Sequence, residues 1–187
     1  MNKKLIVLSG KKRVGKDTVA NLFNDYTQRK YELRAFAEPV KEIVSQAVGT
    51  ASYALDLYKE SRLVAVNGIS SNLTIRELYR KTADFYKELL GEDIFAKLML
   101  KRLAYENYEF PRVIVTDMRF KAEYEYIKLL DPVFIRVKCR MGNMDTHPSE
   151  IDLDDVPDSD FHFIIDNTCT RTQLKEQIQA IVKKLRI

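Results

Sequence analysis

The chain has 187 residues, 45% of them hydrophobic and 31% charged, with a formal net charge of +4 and a pI near 8.9. That length can bury a core, and the mild, evenly spread basic excess suits small anionic substrates without arguing for a nucleic-acid partner. Two cysteines, Cys139 and Cys169, with no CxxC pair, speak against zinc or a disulfide framework. No apolar run is long enough for a membrane span or a signal-peptide core, so the expectation is a soluble cytoplasmic protein with no membrane partner.

Leu5–Leu8 is a short, continuous apolar run of the kind that forms a strand covered on both faces. A Gly-bounded loop, Gly10–Gly15, follows, and then a helical pattern in Val19, Ala20, Leu22 and Phe23. Leu33–Ala37 is predicted as a second strand. Pro39 then starts a helix, where its missing N–H costs nothing, and Gly49 lies just past the end of that helix. Residues 50–73 carry no clear period. Thr74 and Glu77 have the spacing of a capping box leading into a helix over 78–90, closed by Gly91, and Asp93 opens another helix to about Tyr105. Strands are predicted at 112–116, 133–137 and 161–165, with a helix over 122–130 and a last amphipathic helix over 173–185. Alternating strands and helices imply a three-layer α/β fold with a mainly parallel sheet, and ligands bind at the carboxyl edge of such sheets. Gly10–Thr18, Phe36–Lys41 and Thr116–Arg119 all fall at predicted strand ends on that edge. The expected organisation is one domain over 1–187, with an acceptor-binding helical insertion at about 38–105 and a lid at about 139–160.

Gly10-Lys11-Lys12-Arg13-Val14-Gly15-Lys16 fits GxxxxGK between a strand and a helix, the context in which that pattern binds phosphate. Backbone N–H groups of Gly10, Lys11, Arg13, Val14 and Gly15 would turn inward toward an anion. The helix N-terminus adds partial positive charge, and Lys16 reaches the β- and γ-phosphates. The usual Ser/Thr after the lysine is replaced by Asp17, a candidate Mg²⁺ ligand directly or through water, and Thr18 follows as a phosphate donor.

The loop resembles that of a small branch of P-loop kinases containing the phage-type deoxynucleoside monophosphate kinases and the animal-type phosphomevalonate kinases. Phe36-Ala37-Glu38-Pro39-Val40-Lys41-Glu42, Val115-Thr116-Asp117-Met118-Arg119-Phe120, His147-Pro148-Ser149-Glu150, Leu153-Asp154 and Phe163–Asn167 extend the resemblance along the chain. Arg76-Glu77-Leu78 and the Gly91-Glu92-Asp93 segment are similar to the nucleotide-kinase members in particular. The resemblance implies a nucleoside monophosphate kinase-like fold, ATP as phosphoryl donor, Mg²⁺, and a deoxynucleoside monophosphate acceptor. It implies the host cytoplasm if the gene is a phage's, and a homodimer is compatible with it.

An in-line transfer between two anionic substrates needs fixed cations. Arg119, just past a strand, is assigned to the acceptor phosphate and to catalysis with Lys16. Asp117 is assigned to Mg²⁺, to an arginine or to the acceptor. Lys41 is a candidate for the acceptor phosphate. Glu38 is a candidate for a sugar hydroxyl or a basic residue, with a helix N-terminal charge as the plain alternative. Arg76 is favoured for the acceptor through the resemblance alone, as is Glu150 for base or sugar. Arg140 would enter from the lid to stabilise charge on the transferred group, whereas Arg136, between apolar neighbours, reads as solvent-facing. Residues 141–160 hold seven acidic side chains and no Lys or Arg, which reads as a mobile acidic loop before a metal site. His147 is not needed as a base, because a phosphate acceptor is already ionised. Phe36, Tyr79, Phe85 and Tyr86 are candidates either for a base-stacking slot or for the core. The competing readings are a phosphomevalonate kinase, a non-catalytic nucleotide-binding switch or regulatory module, and a nucleic-acid end kinase. The switch would need a γ-phosphate sensor of the Asp-x-x-Gly type, and none is present. The end kinase would need a basic track that this charge distribution does not provide.

Overall fold

The computed structural model describes residues 2–28, 30–62, 72–106, 111–139 and 147–187. They divide into two compact units, one formed by residues 1–36 and 100–187 and the other by residues 37–99.

The first unit is built on a parallel sheet of five strands in the order β2-β3-β1-β4-β5: β1 (Asn2–Ser9), β2 (Glu32–Arg34), β3 (Val113–Met118), β4 (Pro132–Lys138) and β5 (Phe163–Asp166). Every strand pair is parallel, with Ile6 opposite Ile114 of β3 and Val133 of β4. Leu5, Ile6, Val7 and Leu8 are all fully buried, so the central strand is covered on both faces, as its unbroken apolar run requires. On one face, Ile6 and Leu8 join Val19 and Phe23 of helix α1 (Lys16–Tyr26) and the stripe Leu174, Ile178, Ile181, Val182 and Leu185 of the C-terminal helix. Strand order places β1 between β3 and β4, and the carboxyl ends of all three open at one edge.

The second unit holds α2 (Glu38–Val48), α3 (Ser52–Leu57), α4 (Ile75–Leu90) and the first residues of α5 (Ile94–Glu106). Its small core joins Val44, Val48, Leu55 and Ile75, with Leu78 and Tyr79 packed against it. The capping box forms as expected: the Thr74 side chain accepts from Glu77 N–H at 3.1 Å, and Glu77 accepts from Thr74 N–H at 2.7 Å. Gly49 closes α2 with φ +65°, a conformation open to glycine. The remaining elements of the first unit are α6 (Lys121–Lys128), the short helix α7 (Pro148–Ile151), a 3₁₀ turn (Asp158–Asp160) and α8 (Arg171–Leu185).

The strands differ from the sequence expectations mainly at their ends. β2 is only three residues long and stops at Arg34, whereas β3 runs on to Met118 and carries Thr116 and Asp117 within the sheet. None of the described helices is long and apolar enough to cross a membrane.

Candidate active site

The phosphate loop leaves β1 at Ser9 and enters α1 at Lys16. Its bend depends on two glycines. Gly10 has φ +148°, and a Cβ there would lie 2.4 Å from the Val137 carbonyl oxygen of β4, so only a bare Cα lets the loop pass the neighbouring strand. Gly15 has φ +91°, and a Cβ would lie 2.4 Å from Asn167 Nδ2. That amide is a structural partner of the loop: Asn167 Nδ2 donates to Val14 O at 2.9 Å, and its backbone N–H donates to Lys138 O at 2.8 Å. Val14 is buried in the core beside α1, which pins the middle of the loop. Arg13, not a glycine, also takes a left-handed conformation, with φ +65°.

Lys16 is only 7% exposed, and its Nζ donates to the Gly10 and Lys11 carbonyls at 2.6 and 2.8 Å. Burial is the main cause lowering its pKa to about 8, with the positive charge of Arg119 second; Asp117, Glu150 and Asp17 pull the other way. The ammonium is thus desolvated, lies in the field of four further ionisable groups, and gains from an incoming polyanion. Asp17 and Thr18 are exposed in the first turn of α1.

Two further elements converge on the loop. At the end of β3, Asp117 accepts the Phe36 N–H at 2.7 Å, tying β3 to the turn after β2. Arg119 follows, and its backbone N–H and that of Phe120 both donate to the buried carboxylate of Glu123, at 2.8 and 3.0 Å. That carboxylate fixes the turn into α6 and so the direction in which Arg119 leaves it. The Arg119 guanidinium pairs with Glu150 and donates to Ser149 O at 3.4 Å. The other oxygen of Glu150 accepts the Lys12 N–H of the phosphate loop at 2.6 Å. A cavity of about 450 Å³ is lined by these groups, among them Gly10, Lys11, Val14, Arg119 and Glu150, and by the end of β4.

The acidic side chains of the stretch after residue 146, exposed at Asp154, Asp155 and Asp158, pair with basic groups from elsewhere in the first unit. Asp154 pairs with Lys11 at 2.7 Å, Asp152 accepts the Lys121 N–H at 2.6 Å, and Asp155 pairs with the Lys121 ammonium at 2.7 Å. Asp158 binds Arg136 at 2.8 Å and also pairs with Lys138. Basic residues of the loop, α6 and β4 therefore supply its counter-charges. Arg136 corrects the sequence reading: its side chain is 13% exposed, its guanidinium lies 3.9 Å from the Phe161 ring centroid, and it donates to Leu153 O at 3.1 Å. Flanking apolar residues suggested solvent, but β4 is an interior strand and Asp158 takes the charge. His147 Nδ1 accepts from Ser149 N–H at 3.2 Å, a local cap of α7. Arg140 lies outside the described residues.

In the second unit, Lys41 pairs with Asp56 at 2.8 Å, which also holds Lys59 at 3.2 Å and the Tyr79 hydroxyl at 3.4 Å. Burial works to raise the Asp56 pKa, but the hydrogen bonds and charges of Lys41 and then Lys59 outweigh it and hold it below the usual range. Burial first, and Asp56 next, push the Tyr79 phenol up. Arg76 pairs with Glu60 at 2.8 Å. Glu38 occupies the first turn of α2, the place of a helix N-terminal charge. Of the aromatic candidates, Phe36 is buried in the first unit, whereas Phe85 is 56% exposed on α4 with Tyr86 edge-on to it. Among the described residues, no group of three or more His, Cys, Asp or Glu could hold a metal ion.

This parallel sheet, with a glycine-bent loop running from its central strand into a helix and a buried lysine at its base, has the architecture of the P-loop kinases. Two solved structures share the fold. The dephospho-CoA kinase of Campylobacter jejuni aligns over 97% of this chain and 96% of its own, with a TM-score of 0.56 at 11% identity. A sugar kinase of Janibacter sp. HTCC2649 aligns over 98% and 94%, with a TM-score of 0.50 at 14% identity. Residues 4–62, about a third of the chain, match the family model described as deoxynucleotide monophosphate kinase, the family the sequence resembles. No curated protein matches the sequence at a significant level.

Proposed function

We propose that the protein transfers the γ-phosphoryl group of ATP to a deoxynucleoside monophosphate, giving the diphosphate. The observation that carries this reading is the buried Lys16, its ammonium held at the base of the phosphate loop by the Gly10 and Lys11 carbonyls, in a segment that matches the deoxynucleotide kinase family. Loop N–H groups and Lys16 bind the donor phosphates. Arg119, held in direction by Glu123, presents a planar fork to the phosphoryl oxygens or the acceptor phosphate. Most of the catalysis then comes from position and charge, since an ionised acceptor needs no base.

Mg²⁺ needs only one or two carboxylates beside substrate phosphates and water. Asp17, exposed in the first turn of α1, and Asp117, near the end of β3, are two such carboxylates. They are the residues assigned to hold the ion, which would neutralise charge on the phosphates when bound. Glu38, Lys41 and Arg76 are assigned to the acceptor by the resemblance. The Lys41–Asp56 and Arg76–Glu60 pairs make an exchange of partners part of that assignment.

The test is ADP release with ATP and Mg²⁺ against dAMP, dGMP, dCMP, dTMP, the ribonucleotides and phosphomevalonate. Turnover with deoxynucleoside monophosphates is expected. Turnover with phosphomevalonate alone would keep the fold and reject the acceptor.

A further inference from the structure

Glu150 is one of the most enclosed ionisable groups of the first unit, with its side chain 3% exposed, and its carboxylate sits among anion-binding donors. One oxygen takes the Lys12 N–H at 2.6 Å and the other takes the Arg119 guanidinium. The buried Lys16 ammonium lies within the field of both Glu150 and Arg119. A carboxylate is an acceptor-only anion with two oxygens, and it satisfies the same donors as two oxygens of a phosphoryl group. A loop N–H, an arginine fork and a lysine are what a transferred phosphate requires, and in this protein an internal carboxylate already engages them.

We propose that Glu150 is a resident stand-in for phosphate: its carboxylate and an incoming polyphosphate compete for Lys12 N–H and Arg119, and polyphosphate binding displaces it together with the α7 segment. The proposal rests on the phosphate-loop reading of the site. Two anions cannot share these donors at contact distance without strong repulsion. Beyond Glu150, Asp152 accepts the Lys121 N–H at 2.6 Å, and the buried Leu153 gives its carbonyl to Arg136, so the segment stays anchored from residue 152 onward. The Asp154–Lys11 and Asp155–Lys121 pairs are exposed and weak, so α7 (Pro148–Ile151) can swing away on that anchor once Glu150 leaves. Polyphosphate affinity is then set by the fraction of molecules in which Glu150 has vacated its seat. The device couples arrival of the phosphate chain to release of the short helix that bears Ser149 and Glu150.

The test is calorimetric titration of inorganic pyrophosphate, without metal, into the wild-type protein, Glu150→Gln and Asp154→Asn. Glu150→Gln keeps the shape and removes the competing charge, and should bind roughly tenfold tighter. Asp154→Asn removes the same charge from an exposed pair and should change affinity by no more than about twofold. Unchanged or weaker binding by Glu150→Gln, with wild-type binding intact, would mean that Glu150 holds Arg119 in place, and would overturn the proposal while leaving the kinase reading standing. Equal tightening by Asp154→Asn would reduce the effect to bulk charge and overturn it as well. Absence of pyrophosphate binding by all three would remove the phosphate loop and the proposal together. Hydrogen exchange on the wild-type protein gives an answer that needs no variant. Pyrophosphate should slow exchange in residues 10–18 and speed it in 149–151, and slowing in both segments would contradict displacement.

Discussion

At the residue scale, Lys16 carries the most direct electrostatic consequence. Its pKa of about 8 in the folded protein lies below that of an unfolded lysine, so the charged form is disfavoured by folding. The folded state releases the proton first, so the cost of charging Lys16 is fully present below about pH 8 and is relieved as pH rises toward the unfolded value. Phosphate binding needs the charged form. The affinity of the free protein for ATP should therefore fall as pH rises through about 8, measured by fluorescent nucleotide titration. Lys16→Arg, which stays charged, should flatten that dependence even if it binds less well. A wild-type profile flat to pH 9.5 would mean that Lys16 does not meet the phosphates. Lys16→Ala should lower turnover by roughly 10²–10³-fold in a folded protein, the usual scale for removing one preorganised charge donor.

The two loop glycines should fail differently. A Cβ at Gly10 meets a backbone carbonyl of β4, which cannot move without disturbing the sheet, whereas a Cβ at Gly15 meets the end of the Asn167 side chain. Gly10→Ala should cost about 1–3 kcal/mol of stability, and more if β4 cannot relax. Gly15→Ala should chiefly weaken nucleotide binding, through its strained φ and the displaced Asn167–Val14 hydrogen bond. Denaturant titration and nucleotide binding on both variants separate the two effects. A Gly10→Ala protein as stable as wild type would contradict the close approach of loop and strand. The role of Asn167 was not legible in the sequence, because its partner Val14 lies across the sheet and nothing local signals it. Glu123 was closer to legible: a glutamate three residues into a helix, after a strand end, is a common acceptor for the first N–H groups.

At the element scale, the parts governed by local physics were readable. The capping box at Thr74–Glu77, the stop at Gly49 and the apolar stripe of α8 all follow from short-range spacing, and all three form. α8 has a second capping box, in which Thr170 accepts from Gln173 N–H at 3.3 Å and Gln173 accepts from Thr170 N–H at 3.0 Å. Because α8 packs its stripe on α1, behind the phosphate loop, Thr170→Ala should cost about 1 kcal/mol and lower the midpoint of unfolding without altering nucleotide affinity. A loss of affinity larger than the loss of stability would mean that α8 has a role in the site beyond support. Strand ends were less readable, since they depend on where a neighbour stops pairing. β2 is short because only Glu32, Leu33 and Arg34 find partners on β3. Arg136 was misread for a related reason: the counter-charge that makes its burial tolerable, Asp158, lies in a distant stretch of the chain.

At the scale of the whole molecule, the order β2-β3-β1-β4-β5 depends on pairings between distant segments that no window of sequence contains. The sequence suggested a parallel sheet and a ligand edge, but not that Glu150 would meet both the loop and Arg119 there. The acidic stretch is the clearest case. The stretch has no cations of its own, and Lys11, Lys121, Arg136 and Lys138 provide its counter-charges from elsewhere in the fold. The family match over residues 4–62 covers the phosphate loop and β2, and Arg119 and Glu150 lie beyond it, so transfer to the acceptor is what a direct test must show.

That test is the fate of the γ-phosphate itself. ATP labelled at the γ-position would be incubated with Mg²⁺, the protein and an equal mixture of the four deoxynucleoside monophosphates, and the products separated. Label is expected in one or more deoxynucleoside diphosphates, dependent on the acceptor and lost in Lys16→Ala. Label appearing only as inorganic phosphate, at a rate indifferent to the acceptor, would contradict transfer to the acceptor.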